Sequence, residues 1–252
     1  MPAVVEPGQS MIGTVEPILE KHGLSRDWKI LDFGCGVGRH TRDFRAAGYD
    51  VEGVDRPYPG LREELDALPD GGVGVHLSTE DGELPFPANH FDLVFSTSVF
   101  EHVQDYDGAI SEIARVTKPG GWGLHVFPAR WRPIESHIYV PFGARFQSKA
   151  WYRLWAQTGI RNQFQQDMTA AQTARNNAEY ARTGLAYPTT KQVRLAFQKH
   201  FGHVAFAERD FIEATAEVSR VSRQAMKLRS VPGVGHAYRW THNRVVTVQK
   251  VF

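Results

Sequence analysis

Cysteine is all but missing from the sequence: Cys35 is the only one in 252 residues. A lone thiol excludes an internal disulfide and suits a reducing compartment, so a cytoplasmic location is expected. Long apolar runs are missing too. None approaches the roughly 20 residues that a membrane helix needs, so no transmembrane segment is expected. The first residues, MPAVVEPGQS, lack the basic-then-apolar pattern of a secretion signal. Repeats and low-complexity tracts are absent. What remains is an ordinary globular composition, 42% hydrophobic and 23% charged, long enough to bury a core.

Charge of one sign is scarce in each half. Residues 1–128 hold 10 Lys and Arg against 21 Asp and Glu, whereas residues 129–252 hold 19 against 7. The formal net charge of +1 hides this asymmetry. An acidic half tolerates a cationic ligand; a basic half attracts an anionic one or compensates the acidic half within one fold.

Apolar runs and turn residues outline the elements. A helix is predicted over Ser10 to His22 and a buried strand over Lys29 to Phe33. A helix over Val37 to Ala47, a strand over Asp50 to Asp55, a helix over Gly60 to Leu68 and a strand over Val73 to Ser78 follow. Phe91 to Ser98 is a strand and Asp107 to Val116 a helix, closed by a Lys118-Pro119-Gly120-Gly121 turn. Trp122 to Phe127 is the fifth strand. The alternation argues for a parallel, doubly wound α/β sheet with helices on both faces. It breaks at residues 129–188, an aromatic-rich stretch read as an inserted, substrate-binding lid. The pattern resumes over residues 189–252, which complete the sheet. There a helix is expected over Thr189 to His200, a strand over His203 to Phe211 and a helix over Glu213 to Leu228. A last strand, antiparallel, is expected over Arg239 to Val251. Residues 1–128 form the first part of the core.

The turn after the first strand reads Asp32-Phe33-Gly34-Cys35-Gly36-Val37-Gly38. Glycines there let the backbone bend sharply and approach a ligand closely. The spacing is G-x-G-x-G, not the G-x-G-x-x-G of dinucleotide-binding loops. A carboxylate two residues before the first glycine repels a pyrophosphate and suits a cationic group. Asp55 closes the second strand, where an acid accepts hydrogen bonds from both hydroxyls of a ribose. Together, in this order, the two features point to a cofactor containing adenosine.

Four segments carry a resemblance: LDFGCGVGR at 31–39, VEGVD at 51–55, ELPFPANHFDLV at 83–94 and EIARVTKPGG at 112–121. In order and spacing they resemble the class I S-adenosylmethionine-dependent methyltransferases, in particular the broad group acting on small molecules. The resemblance covers roughly residues 28–128, more loosely 189–252, and not 129–188. It implies a Rossmann-like, mostly parallel, seven-stranded sheet. It also implies S-adenosyl-L-methionine as cofactor, released as S-adenosyl-L-homocysteine. Gly34, Cys35, Gly36 and Gly38 would form the loop under the methionine moiety, and Asp32 would orient its amino group. Asp55 would hold the ribose, with Arg56 beside the adenine. Glu80 and Asp81 would meet the adenine edge, and Ser96 would offer its carbonyl to the amino group.

Methyl transfer from a sulfonium is an in-line displacement, so the protein mainly positions the acceptor and removes its proton where needed. His102, just after the fourth strand, is the first candidate base. Glu135 and His137 form a second pair: two residues apart in an extended segment, they face the same way. Two such ligands could also hold a metal, but the sequence shows no third, and no metal site is expected. Trp131, Tyr139, Phe142, Trp151, Tyr152 and Trp155 either stack on a flat substrate or form a small core of their own. Arg220, Arg223, Lys227 and Arg229 lie along one late helix, as a solvated face or a contact for an anionic substrate or a membrane surface.

The Asn/Asp-Pro-Pro-Tyr motif of many amino-methylating enzymes is replaced by Ser96-Thr97-Ser98-Val99. Cys35 sits in the wrong place for a cytosine-attacking nucleophile. A nucleic-acid substrate is therefore not expected. The expected activity is methylation, at oxygen, of a small-molecule or glycan-like acceptor that could be anionic. The alternatives are a non-catalytic, cofactor-binding scaffold and, more weakly, an NAD-dependent dehydrogenase, whose nicotinamide Asp32 would hinder. The sequence leaves the oligomeric state open.

Overall fold

The structure, a computed structural model, describes residues 12–228 and 230–251. Seven strands, β1 Lys29–Phe33, β2 Asp50–Asp55, β3 Val75–Leu77, β4 Phe91–Thr97, β5 Thr117–Pro128, β6 His203–Phe206 and β7 Asn243–Gln249, form one sheet in the order β3-β2-β1-β4-β5-β7-β6. β1 to β5 are paired in parallel, and β7 runs antiparallel to both β5 and β6. This is the expected mostly parallel, Rossmann-like sheet. The strand order reverses between β1 and β4, and the crevice beyond the carboxyl ends of those strands is where such sheets bind ligands.

Ten helices accompany the sheet among the described residues: α1 Ile12–Leu19, α2 Arg39–Ala46, α3 Leu61–Asp66, α4 Tyr106–Val116, α5 Lys149–Gln157, α6 Ala170–Thr183, α7 Thr190–Gln198, α8 Glu208–Thr215, α9 Arg220–Lys227 and α10 Val234–Thr241. Successive strand residues point to opposite faces. Ile30 and Val245 join one core with Val15, Phe44 and Phe211, whereas Leu31 and Val246 join the other with Ile110, Ile113 and Phe197. Both faces are covered, so the central strands carry apolar residues toward both sides. None of the described helices is long and apolar enough to cross a membrane.

Residues 129–188 contain α5 and α6, which pack on a third, smaller core of Ile138, Val140, Tyr152, Ala174, Ala181 and Leu185. The threonine caps explain where helices start here. Thr169 and Thr189 each accept from the backbone N–H three residues on, and Gln172 and Gln192 reciprocate.

Several element bounds differ from expectation. Of the first helix, Ser10 and Met11 lie outside the described residues, and Glu20–His22 is a 3₁₀ turn. The second helix starts only at Arg39, because Gly38 is left-handed. The Lys118–Gly121 turn is the first stretch of β5. Thr117 pairs with Phe91 ahead of a register shift, and Gly120 N–H donates to the Lys250 carbonyl. β6 ends at Phe206, where buried Glu208 opens α8 by accepting from Arg239 and from the Val245 N–H. The single helix expected over Glu213 to Leu228 is two, since the Ser219 side chain caps a fresh start at α9. The last strand begins at Asn243 and not Arg239, because α10 runs to Thr241.

Candidate active site

A cavity of about 740 Å³ opens at the carboxyl ends of β1, β2 and β4, between the glycine loop and the start of α4. Gly34, Asp55, Arg56, Asp81, Val99 and His102 are among its lining residues.

Backbone pairing shapes the loop. Gly34 and Cys35 both donate N–H to the Val54 carbonyl, at 2.8 and 3.1 Å. Gly34 has φ +77°, and a Cβ there would stand 2.3 Å from Val99 Cγ2. Gly36 has φ +55° and faces open space, so a ligand can approach its backbone. Its N–H donates to Asp55 Oδ2 at 2.6 Å, while Asp55 Oδ1 accepts from Arg56 N–H at 2.7 Å. Burial holds the Asp55 pKa above the usual carboxylate range, despite these two donors. Each oxygen keeps a lone pair for a further donor.

Asp32 lies beneath the loop. It is buried, and its Oδ2 accepts from Thr41 Oγ1 at 2.9 Å. Burial pushes its pKa up to about 7, against the Thr41 bond and with the neighbouring charge of Asp55. Asp32, Cys35, Gly36 and Gly38 are not among the residues lining the cavity. Burial also raises the Cys35 thiol pKa, which disfavours the reactive thiolate. Ser96 is buried as well, with its hydroxyl bonded to His125 Nδ1 at 2.9 Å. His125 stacks on Phe197, and burial alone lowers its pKa to about 3. Glu80 stands outside the main cavity, in an outer groove with Tyr58, whereas Asp81 borders both spaces. Arg56 reaches over to donate to the Glu80 carbonyl at 3.2 Å.

Two segments distant in sequence meet beside His102 at the edge of the cavity. A turn after β4, in which His102 N–H donates to the Val99 carbonyl, carries Glu101 and His102. The segment past β5 carries Glu135 and His137. The expected Glu135–His137 pair is formed: His137 Nδ1 donates to Glu135 Oε1 at 2.7 Å. Glu135 also accepts from Tyr187 Oη and from the backbone N–H of His137 and Ile138. Burial would raise the Glu135 pKa, but these donors outweigh it and keep it low. Burial likewise opposes charge on His137, and its carboxylate partner raises its pKa above the ordinary value.

His102 opens onto the cavity and lies edge-on to His137, with ring centroids 4.8 Å apart. Its Nδ1 donates to the Gly184 carbonyl at 2.8 Å, which leaves Nε2 as the free nitrogen. The surrounding protein lowers its pKa, and His137 adds to this. His137 also borders a second cavity, of about 290 Å³, formed with Tyr139, Asn162, Phe164, Asn177 and Tyr180.

Sequence reasoning missed Glu101, Tyr187 and the Gly184 carbonyl. Glu101 carried a signal: an acid wedged between apolar Phe100 and a candidate base. The last two come from the far end of the insertion and had none. The insertion's aromatics divide. Tyr152 is buried in the small core, with Trp151 and Trp155 packed against it. Trp131 and Phe142 are at the surface, and Tyr139 borders the second cavity. On α9, Arg223 caps the end of α8 through the Ala216 and Glu217 carbonyls. Arg220 and Lys227 are exposed, and Arg229 lies outside the described residues. None of the described three lines the cavity.

Residues 31–124 match the family described as the methyltransferase domain. That span, 94 of the 252 residues, is what the chain shares with this family. All four resembling segments fall inside the matched span. A ubiquinone biosynthesis O-methyltransferase from Thiobacillus denitrificans is 31% identical over 121 residues, covering 47% of this chain and 51% of that protein. A ubiquinone/menaquinone biosynthesis C-methyltransferase from Burkholderia vietnamiensis is 37% identical over 113 residues, covering 43% of this chain and 46% of that protein. The chain thus spans about half the length of these curated relatives. A solved S-adenosylmethionine-dependent methyltransferase from Mesorhizobium loti superposes with a TM-score of 0.52 at 16% identity, over 96% of this chain and 100% of that one. At that identity the likeness concerns the fold. The sheet described above is the fold shared with that structure, and the relatives' names include both an O-methyltransferase and a C-methyltransferase.

Proposed function

We propose that this chain is an S-adenosylmethionine-dependent methyltransferase that modifies a small polar acceptor at oxygen. The observation that carries the reading is a single cavity lined by Gly34 and Asp55 on one side and His102 on the other. The residues present fit the cofactor. The backbone at Gly36 is open, Asp55 has spare acceptor capacity at the cavity wall, and the volume is that of a ligand pocket. When bound, S-adenosylmethionine supplies the methyl group and leaves as S-adenosylhomocysteine.

In this reading Asp55 binds the ribose hydroxyls, and Arg56 and Asp81 border the adenine. Asp32 acts from below, by setting the field under the loop. Residues 129–188 form the lid over the acceptor, with His102 and His137 facing it and Glu135 fixing the His137 ring. The second cavity supports an acceptor with hydroxyls and a ring face, glycan-like in character: its wall carries amides beside Tyr139, Phe164 and Tyr180, and no Lys or Arg. That lining favours a neutral acceptor over an anionic one.

Calorimetric titration of S-adenosylmethionine, S-adenosylhomocysteine and NAD, with wild type and Asp55→Ala, tests the reading. Micromolar binding of the first two, about −8 kcal/mol, weakened at least tenfold by Asp55→Ala, is expected. Binding of neither by folded protein would indicate a scaffold without cofactor, and binding of NAD in their place would overturn the reading.

A further inference from the structure

Glu101 is 1% exposed, and neither of its carboxylate oxygens has a hydrogen-bond partner. An isolated buried carboxylate is costly, and such groups are normally paired or bound to a metal. Its surroundings make the cost worse. Glu135, a second buried carboxylate, adds a like charge. His137 and Arg132 favour its charge through space, but neither bonds to it.

The two neighbouring imidazoles are arranged alike. A carbonyl or carboxylate can only accept, so His102 donates from Nδ1 to Gly184 and His137 donates from Nδ1 to Glu135. Each ring is thereby fixed in orientation, with Nε2 left as a lone-pair donor. Metal-ligating histidines are held this way by their surroundings, most often through a carboxylate or a backbone carbonyl. Glu101, His102 and His137 each offer a ligand atom, and the three atoms lie within 4.8 Å of one another. Donors about 2.1 Å from a common ion in tetrahedral array stand roughly 3.4 Å apart. Small side-chain rotations therefore close the set. A dication bound through the Nε2 atoms would displace any proton there and balance the two buried carboxylates, Glu101 and Glu135.

We propose that Glu101, His102 and His137 bind a divalent transition-metal ion between the cofactor cavity and the second cavity. Two nitrogens and one carboxylate with open positions suit zinc, iron(II), cobalt(II) or manganese(II). His102 lines the first cavity and His137 the second, so an ion held by both stands at their junction. There its open positions would take an oxygen of the acceptor. This role deepens the methyltransferase reading and rests on it; the binding of the ion does not. The sequence lacked a third donor for His137 because Glu101 and His102 lie more than thirty positions upstream, across a strand and a helix.

The test uses tag-free protein stripped with chelator and desalted. Cobalt(II) is titrated with visible absorption as readout, and zinc by calorimetry, for wild type, Glu101→Gln, His137→Ala and Glu135→Gln. One ion per chain is expected. Affinity should fall at least 100-fold on loss of either ligand and 10–100-fold for Glu135→Gln. S-adenosylhomocysteine titration and circular-dichroism melts of each variant report whether the fold and cofactor cavity persist. X-ray absorption of zinc-loaded wild type needs no variant and should show two imidazoles and no sulfur. Absence of cobalt and zinc binding by folded wild type would overturn the proposal. So would equal binding in folded variants, or an all-oxygen shell. Metal binding without S-adenosylhomocysteine binding would keep the site and sink the methyltransferase reading instead.

Discussion

Glu135 holds His137 twice, accepting the ring Nδ1–H at 2.7 Å on one oxygen and the backbone N–H at 2.7 Å on the other. Tyr187 Oη and the Ile138 N–H complete its four donors. Glu135→Gln turns one acceptor into a donor facing donors. It should destabilise the fold by about 1–3 kcal/mol, read from urea midpoints. Tyr187→Phe, which removes one donor of four, should cost about 1 kcal/mol. Equal midpoints for Glu135→Gln and wild type would show that the carboxylate is not held as described.

Asp32 gives a pH dependence with a definite sign. Its pKa rises from the unfolded value near 3.8 to about 7 on folding. A raised carboxylate pKa contributes stability that is fully present below about pH 4 and is lost as pH climbs through about 7. Ligand-free wild type should therefore lose a few kcal/mol across that window relative to Asp32→Asn. Parallel stability profiles for the two proteins between pH 4 and 8 would rule this out.

The two glycines of the loop should respond differently. Gly34→Ala combines a left-handed backbone with a Cβ 2.3 Å from Val99, so it should disrupt the loop and abolish cofactor binding. Gly36→Ala meets open space and should cost only about 1–2 kcal/mol of backbone strain while weakening the ligand. Val99→Ala should partly rescue Gly34→Ala. Thermal melts and S-adenosylhomocysteine titration distinguish these cases.

Tyr152 anchors the small core of the insertion, and its hydroxyl donates to the Gly143 carbonyl at 3.0 Å. Tyr152→Phe should cost about 1–2 kcal/mol and Tyr152→Ala about 3–5 kcal/mol, by denaturant unfolding. If neither shifts the unfolding midpoint, the insertion does not unfold together with the sheet.

Charge reversal on α9 should leave the acceptor KM unchanged. Arg220 and Lys227 are exposed, Arg223 caps α8, and none lines the cavity. A raised KM in Arg220→Glu or Lys227→Glu would mean that an anionic acceptor reaches this helix.

The sheet was legible because its strands are buried on both faces. Ile30 and Leu31 serve opposite cores, so β1 is a plain apolar run ended by glycine. β2 was read to the residue although acids stand at 50, 52 and 55, because Val51 and Val54 again serve opposite cores. Strand and helix ends failed where a side chain outside the local pattern decides them. Glu208 turns a strand into a helix through Arg239, 31 positions away, and Ser219 restarts a helix inside an apparently continuous one. At the site, the loop and Asp55 were visible because their chemistry depends on local spacing. Glu135 and His137 were expected to pair across an extended segment; they do pair, but on a turn over residues 136–138, where Tyr139 N–H bonds the Glu135 carbonyl and the Glu135 carboxylate takes the His137 and Ile138 N–H groups. The link from His137 to Glu101 was not visible, since it depends on how the insertion folds back over β4.

That fold-back has a further consequence. The cofactor half of the cavity comes from residues 33–112, and the second cavity comes from residues 136–180. Two hydrogen bonds stitch the turn after β4 to the end of the insertion: His102 Nδ1 to the Gly184 carbonyl, and Ala186 N–H to the Glu101 carbonyl. In the proposed reading, donor and acceptor recognition thus meet at one narrow seam. Evolution or design can exchange the acceptor-facing segment while leaving the cofactor grip untouched, provided the replacement restores those two bonds.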